Sequence, residues 1–213
     1  MTSGAERRAT AIAAFKAQNA EDPNSVMDGP EPRPKELVHA ERLAAWVERL
    51  DPSPSEALVL ASHCQHLRRW ELAREEFAPG RVGYLTWRKA LARLHADHAA
   101  EVLRRAGYDA ALLEQVRQIN LKQGLRTNPD VQTMEDALCL CFLEHELVDF
   151  ALKHPDAKVV DIIAKTWAKM SERGHQRALG LPLSEHASQL VTQALARDAS
   201  DRQASSEDPA GSS

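Results

Sequence analysis

Nine histidines stand among the 213 residues, and their spacing says more than their number. His39 lies near the start of a helical stretch, with Arg42 three residues on. His63 and His66 form an i, i+3 pair, a spacing that puts two rings on one face of a helix. His95 and His98 repeat that spacing further along, and Glu135 and Asp136 are adjacent carboxylates beside an apolar run from Ala137 to Leu143. Four successive helical blocks therefore each offer metal-ligating atoms. Imidazoles and a carboxylate projecting inward from a bundle are the donor set that holds a divalent transition metal and activates water. A histidine taken singly is more often an ordinary half-buried polar residue; the recurrence across four blocks carries the reading. Which of His63 and His66, and which of His95 and His98, faces the centre is left open by the spacing.

The elements that must position these groups are helical. Ala5–Ala20 is alanine-rich with Ile12 and Phe15 at helical spacing, and it stops at Asp22–Pro23 because proline disfavours the helical conformation in the residue before it. Asn24–Pro34, with Pro30, Pro32 and Pro34, reads as a linker wrapped on the surface. Helical periodicity then predicts a helix from about Lys35 to Leu50, one from Ser55 through His66, and one over Tyr84–Arg105 closed by Gly107. Further helices are expected over Asp109–Lys122, Val131–Leu152, Asp156–Ser171 and Leu183–Arg197. No segment alternates as a strand does, and from Asp198 onward the chain lacks an apolar face and reads as a solvated tail. The expectation is an all-α, single-domain bundle. Residues 1–34 form a helix and linker packed on the core, 35–197 the helical domain, and 198–213 a disordered tail.

Charge is distributed unevenly. The net formal charge is −4, but Ser62–Arg126 carries 12 Lys/Arg against 7 Asp/Glu, and Thr127–Asp161 carries 2 against 8. The overall sign therefore does not exclude an anionic partner; it confines one to a face. Arg68, Arg69 and Arg74 follow His66 closely with Trp70 among them, Arg88 follows Tyr84 and Trp87, and Lys122 ends a helix. Guanidinium groups suit phosphate oxygens and an exposed aromatic stacks on a base, although Trp70 and Trp87 also suit a core rim. A second basic stripe runs through Lys165, Lys169, Arg173 and Arg177. No apolar run is long enough to span a membrane, no secretory leader is evident, and three cysteines make no disulfide framework, so a cytoplasmic protein is expected. Cys139 and Cys141 diverge on a helix and are expected to be buried thiols.

At these positions the chain resembles the HD superfamily of metal-dependent hydrolases. His39-x-x-Arg42 resembles its first element, Leu60–Arg69 its second, Glu135-Asp136 its last, and His95–Tyr108 (HADHAAEVLRRAGY) the extra histidine helix of some branches. The family's His-Asp pair is replaced here by Gln65-His66, which favours a mononuclear centre. A closer resemblance spans about Asn19–Leu179. Asn19–Asn24 (NAEDPN), Cys64–Glu71 (CQHLRRWE), Gly83–Arg88 (GYLTWR), Leu94–Ala96, Glu135–Leu143 (EDALCLCFL) and Lys165–Ser171 (KTWAKMS) are similar to domain-of-unknown-function family 4202. That resemblance implies an HD-like helical fold and a link to queuosine-modified tRNA, with removal of the glutamyl ester of glutamyl-queuosine as the activity. Lys169-Met170-Ser171 also echoes the lysine-methionine-serine loop of class I aminoacyl-tRNA synthetases, but no nucleotide-binding sheet surrounds it, and Trp167 and Met170 are expected in the core.

The resulting expectation is a hydrolase holding one divalent metal, zinc favoured over iron or manganese. His39, His66, His95 and Asp136 are its ligands, Glu135 or His98 its proton shuttle, and Arg68, Arg69, Arg74, Arg88 and Lys122 its anion-binding groups. The expected partner is tRNA through its modified anticodon region, with no membrane and no obligate protein partner. The alternatives are an HD-type phosphohydrolase acting on a nucleotide or phosphate ester, an HD-like iron oxygenase, and a non-catalytic tRNA-binding helical module.

Overall fold

The computed structural model describes residues 3–206, with side chains as far as Arg197. The chain is all-α apart from one short hairpin, and it forms two compact units that divide after Ala137. Among the described residues no helix is long and apolar enough to cross a membrane.

In the first unit, α1 (Gly4–Asn19) begins with a reciprocal cap. Ser3 Oγ accepts from the Glu6 amide while Glu6 accepts from the Ser3 amide, which satisfies two donors the first turn leaves free. Ala11, Phe15 and Asn19 are the face that α1 buries. The segment read as a proline linker is instead an antiparallel hairpin, β1 (Ser25–Asp28) and β2 (Glu31–Pro34). Gly29 at φ +68° supplies the left-handed turn residue, and Pro30 follows with its fixed φ. Prolines remain compatible with this ribbon because a two-stranded sheet has only edges. Asp28 holds it in place by accepting from Arg33 (2.5 Å) and from Arg42 (3.0 Å), which keep its carboxyl below the usual range.

Helix α2 (Lys35–Leu50) buries Val38, Leu43, Trp46, Val47 and Leu50, a stripe at three- and four-residue steps. Its N-terminus has proline at the cap and no local side chain to satisfy it. Asp22 does so from a distance: its Oδ2 accepts from the Glu36 amide at 3.0 Å. Helix α3 (Glu56–Ser62) is capped by Ser55 and stops four residues short of His66, where the sequence predicts continuous helix. Three-residue turns replace it over residues 63–67, Asn19 Nδ2 donates to the His63 carbonyl at 2.9 Å, and Arg68 turns left-handed at φ 55°. The i, i+3 face expected of His63 and His66 is therefore absent.

Helix α4 (Gly80–Arg105) closes in a Schellman motif on Gly107, with Tyr108 N donating to Leu103 O and Gly107 N to Arg104 O. Helix α5 (Ala110–Asn120) closes the same way, with Gln123 N to Gln118 O and Lys122 N to Ile119 O. There the left-handed position is occupied by Lys122, at φ 54°, rather than glycine. Helix α6 (Pro129–Cys141) carries the two carboxylates.

In the second unit the helix expected over Val131–Leu152 does not run unbroken. A π-helical stretch at Phe142–Glu146 separates α6 from α7 (Leu147–Leu152). Helices α8 (Asp156–Trp167) and α10 (Glu185–Ser206) pack along each other, burying Val159, Ile163 and Leu190, and α9 (Glu172–Leu179) lies between them in sequence. Trp167 stacks on His175 at 4.0 Å and Met170 is buried, the core placement expected of both. Lys165 of the second basic stripe pairs with Asp161 at 2.5 Å. Helix α10 continues past Asp198, where the tail was expected to begin; the final part of that tail, residues 207–213, lies outside the described residues. All three cysteines are free and buried.

Candidate functional site

Three separate segments of the first unit bring imidazoles together. His39 from α2 lies face to face with His66 from the turn after α3, with centroids 4.2 Å apart and planes within 5°. His95 from α4 completes the group, 5.9 Å from His66 and tilted by 39°. Of the pairs left open by the spacing, His66 and His95 meet, and His98 stands near His95 one turn further along α4. His63 is buried below the turn. His98 Nε2 lies 2.9 Å from Glu71 Oε2.

The tautomers follow from the partners. Leu67 O can only accept, so His95 Nδ1, 2.7 Å away, carries the proton and Nε2 carries the lone pair. Burial holds His95 neutral, with its pKa lowered to about 4; the bond to Leu67 pulls the other way without compensating. His66 Nδ1 lies 3.0 Å from Glu36 Oε2, which as a carboxylate accepts and again leaves Nε2 as the basic nitrogen. Glu36 is almost wholly buried, and its other oxygen lies 3.8 Å from Arg69 Nε.

Glu36 was missed in the sequence, although it stands one helical turn before His39. The local signal is an acid in the first turn of a helix, which ordinarily reads as a dipole partner at the surface. Asp22 was missed with it. Gln65 donates through Nε2 to Asn120 Oδ1 at 2.6 Å and so serves as a latch between segments. Cys64 lies against the same asparagine, and burial pushes its thiol up to about 12.

The remaining expected residues have partners of their own. Asp136 is fully buried and accepts from Gln132 at 3.1 Å. Glu135 is buried and paired with Lys122. Arg68 pairs with Glu71 at 2.5 Å and approaches Glu21 at 3.7 Å, and Arg74 donates to the carbonyls of Phe77 and Ala78, both at 3.0 Å. Arg69 lies over the Trp87 ring at 5.1 Å, and Arg88 donates to the Tyr84 hydroxyl at 3.1 Å. Arg42, the arginine after His39, points to the hairpin.

In kind, this donor set fits a divalent transition metal: two of its imidazoles, His66 and His95, have their Nδ1 atoms held by a carboxylate and a carbonyl, the usual outer partners of metal-binding histidines. In arrangement it is not yet a cage, since among the described residues no group of three or more His, Cys, Asp or Glu stands ready to hold an ion. An imidazole binds a metal in its own ring plane, and two parallel stacked rings share no such point. Ligation by both His39 and His66 therefore requires one ring to turn out of the stack.

Comparison with known proteins gives one match. No curated protein and no solved structure matches the chain. The model of a family described as a domain of unknown function (DUF4202) matches residues 9–191, and so spans the imidazole cluster, Glu36 and both carboxylates of α6. The chain belongs to the DUF4202 family.

Proposed function

We propose that this protein is a metal-dependent hydrolase whose reacting centre is the His39–His66–His95 cluster, and that it acts on modified tRNA, cleaving the glutamyl ester of glutamyl-queuosine to leave queuosine and glutamate. The observation that carries the hydrolase reading is the convergence of three imidazoles over a buried carboxylate, two of them with their Nδ1 atoms already committed. The ester substrate rests on the family resemblance.

His39, His66, His95 and Asp136 would hold the metal, zinc favoured over iron or manganese, which when bound supplies Lewis acidity and a more acidic water. Glu36 fixes the tautomer of His66 and makes its Nε2 more basic. Arg69, beside Glu36, brings positive charge to the rim, where it favours an anionic substrate. His98, half-buried and steered by Glu71, is the accessible proton carrier, whereas Glu135 is tied to Lys122. A tRNA substrate and a chain with no membrane-spanning helix among its described residues fit a cytoplasmic setting.

The test is a mass-spectrometric comparison of nucleosides from glutamyl-queuosine tRNA treated with the protein or with His66→Ala. Conversion to queuosine by the wild type alone supports the reading. Phosphate release from small phosphoesters without any need for tRNA would reassign the centre to a phosphohydrolase.

A further inference from the structure

From the imidazole cluster a continuous series of charged and aromatic groups runs outward to solvent. His66 meets Glu36, Glu36 lies beside Arg69, and Arg69 covers the Trp87 ring at 5.1 Å. Trp87 is held in place by its indole N–H, which donates to Leu72 O at 3.0 Å. Tyr84, one helical turn earlier on α4, lies 5.9 Å from Trp87 and is 42% exposed. Arg88 donates to the Tyr84 hydroxyl at 3.1 Å, and its guanidinium carbon lies 5.9 Å from the ring centre.

Two further features describe what would occupy that ring. Arg81, Tyr84, Leu85 and Arg88 share one exposed face of α4 at helical spacing, and Gly80–Arg93 contains four Lys/Arg and no acid. A planar aromatic face among uncompensated cations is the recognition chemistry of single-stranded nucleic acid: the base stacks and the phosphates meet guanidinium groups. An apolar protein partner would not call for so basic a surround. Tyr84 also precedes His95 by eleven residues on the same helix, about 16 Å along its axis, a span of a few nucleotides.

We propose that Tyr84 is a stacking platform for an unpaired base of an RNA strand, next to the nucleotides that reach the imidazole cluster. It deepens the tRNA reading above and rests on it for the identity of the strand. Tyr84 fixes the base by its ring, Arg81 and Arg88 hold the flanking phosphates, and Trp87 with Arg69 links the platform rigidly to Glu36. A fully paired duplex offers no free base and gains nothing from Tyr84.

The experiment measures binding of a fluorescein-labelled RNA hairpin with an unpaired loop, and of a fully paired RNA duplex, by anisotropy at fixed salt. Tyr84→Leu keeps the bulk and helix propensity but removes the ring, while Tyr84→Phe removes only the hydroxyl. Y84L is expected to weaken hairpin binding about tenfold and Y84F, which keeps the ring and loses only the bond to Arg88, far less, with duplex binding the same for all three proteins. Hairpin binding by Y84L equal to wild type, equal losses on hairpin and duplex, or no hairpin binding by the wild type would each overturn the proposal. Turnover separates the two readings: hairpin binding by the wild type that depends on Tyr84, with no conversion of glutamyl-queuosine tRNA, supports the platform while overturning the hydrolase reading.

Discussion

Glu36 Oε2 lies 3.0 Å from Nδ1 of His66, and this one contact determines which His66 nitrogen is basic. The carboxylate that makes it is almost wholly buried, while the His66 side chain is 30% exposed.

Removing that charge tests its positioning role. Glu36→Gln is expected to lower zinc affinity by about 10- to 100-fold, measured by chelator competition, because the outer partner of a ligating histidine sets its basicity and orientation. Turnover should fall while KM stays near wild type. Unchanged zinc affinity together with unchanged turnover would show Glu36 to be a packing residue only.

Acid should unfold the first unit through two histidines. His63 and His95 are both buried with pKa values lowered from 6.5 to about 4, chiefly by desolvation. The unfolded chain takes up these protons below about pH 6.5 while the native protein refuses them until about pH 4. Stability is therefore complete above pH 6.5 and is lost as pH falls, on the order of 3 kcal/mol for each residue by pH 4. Urea midpoints measured between pH 7.5 and 4.5 check this. His63→Gln should flatten the slope, since the His63 Nδ1 is buried with no hydrogen-bond partner among the described residues.

Lys122 combines backbone strain with an ion pair. Its left-handed conformation costs about 1 kcal/mol relative to glycine, yet its ammonium pairs with buried Glu135. Lys122→Gly should relieve the first and forfeit the second, with a net loss of about 2 kcal/mol, because a buried carboxylate is deprived of its cation. Adding Glu135→Gln should recover most of that loss in chemical denaturation. A stabilised K122G single variant would show that strain outweighs the pair.

Tyr108 joins segments far apart in sequence. Its hydroxyl donates to Glu56 Oε1 at 2.6 Å, and the Arg7 guanidinium lies 4.6 Å from its ring centre. Tyr108→Phe should cost about 1.5 kcal/mol, the usual worth of a hydrogen bond to a charged acceptor, without altering RNA binding. A thermal melt of the variant coincident with wild type would contradict this.

Gly83 has a packing reason to be glycine. A Cβ there would stand 1.8 Å from the Ala78 carbonyl oxygen, which is backbone and cannot swing aside. Gly83→Ala should destabilise by about 2 kcal/mol or more, and it should loosen Trp87 through the displaced loop below it. Near-UV circular dichroism and a melt of the variant report both effects.

Helical content and the approximate bounds of α1, α2, α4 and α5 were legible from local signals: apolar spacing, the proline after Asp22, and Gly107 past the end of α4. Such signals act over a few residues, so they survive without knowledge of the rest of the fold. The hairpin escaped because Pro30, Pro32 and Pro34 mask a strand that ion pairs hold in place, Asp28 with Arg33 and Arg42, and Arg33 with Glu41. The end of α3 escaped for a related reason, since it depends on Asn19 reaching the His63 carbonyl from α1.

His39, His66 and His95 were visible by residue type and by their recurrence in successive helical blocks. Tertiary structure alone decided that His66 and His95 meet, that Gln65 turns to Asn120, and that Glu36 rather than a residue beside His66 directs its ring. Spacing within a helix governs only neighbours three or four residues apart. Residues 36 and 39 lie on α2, 66 on the turn after α3 and 95 on α4, and only the packing of these three segments determines which atoms face one another.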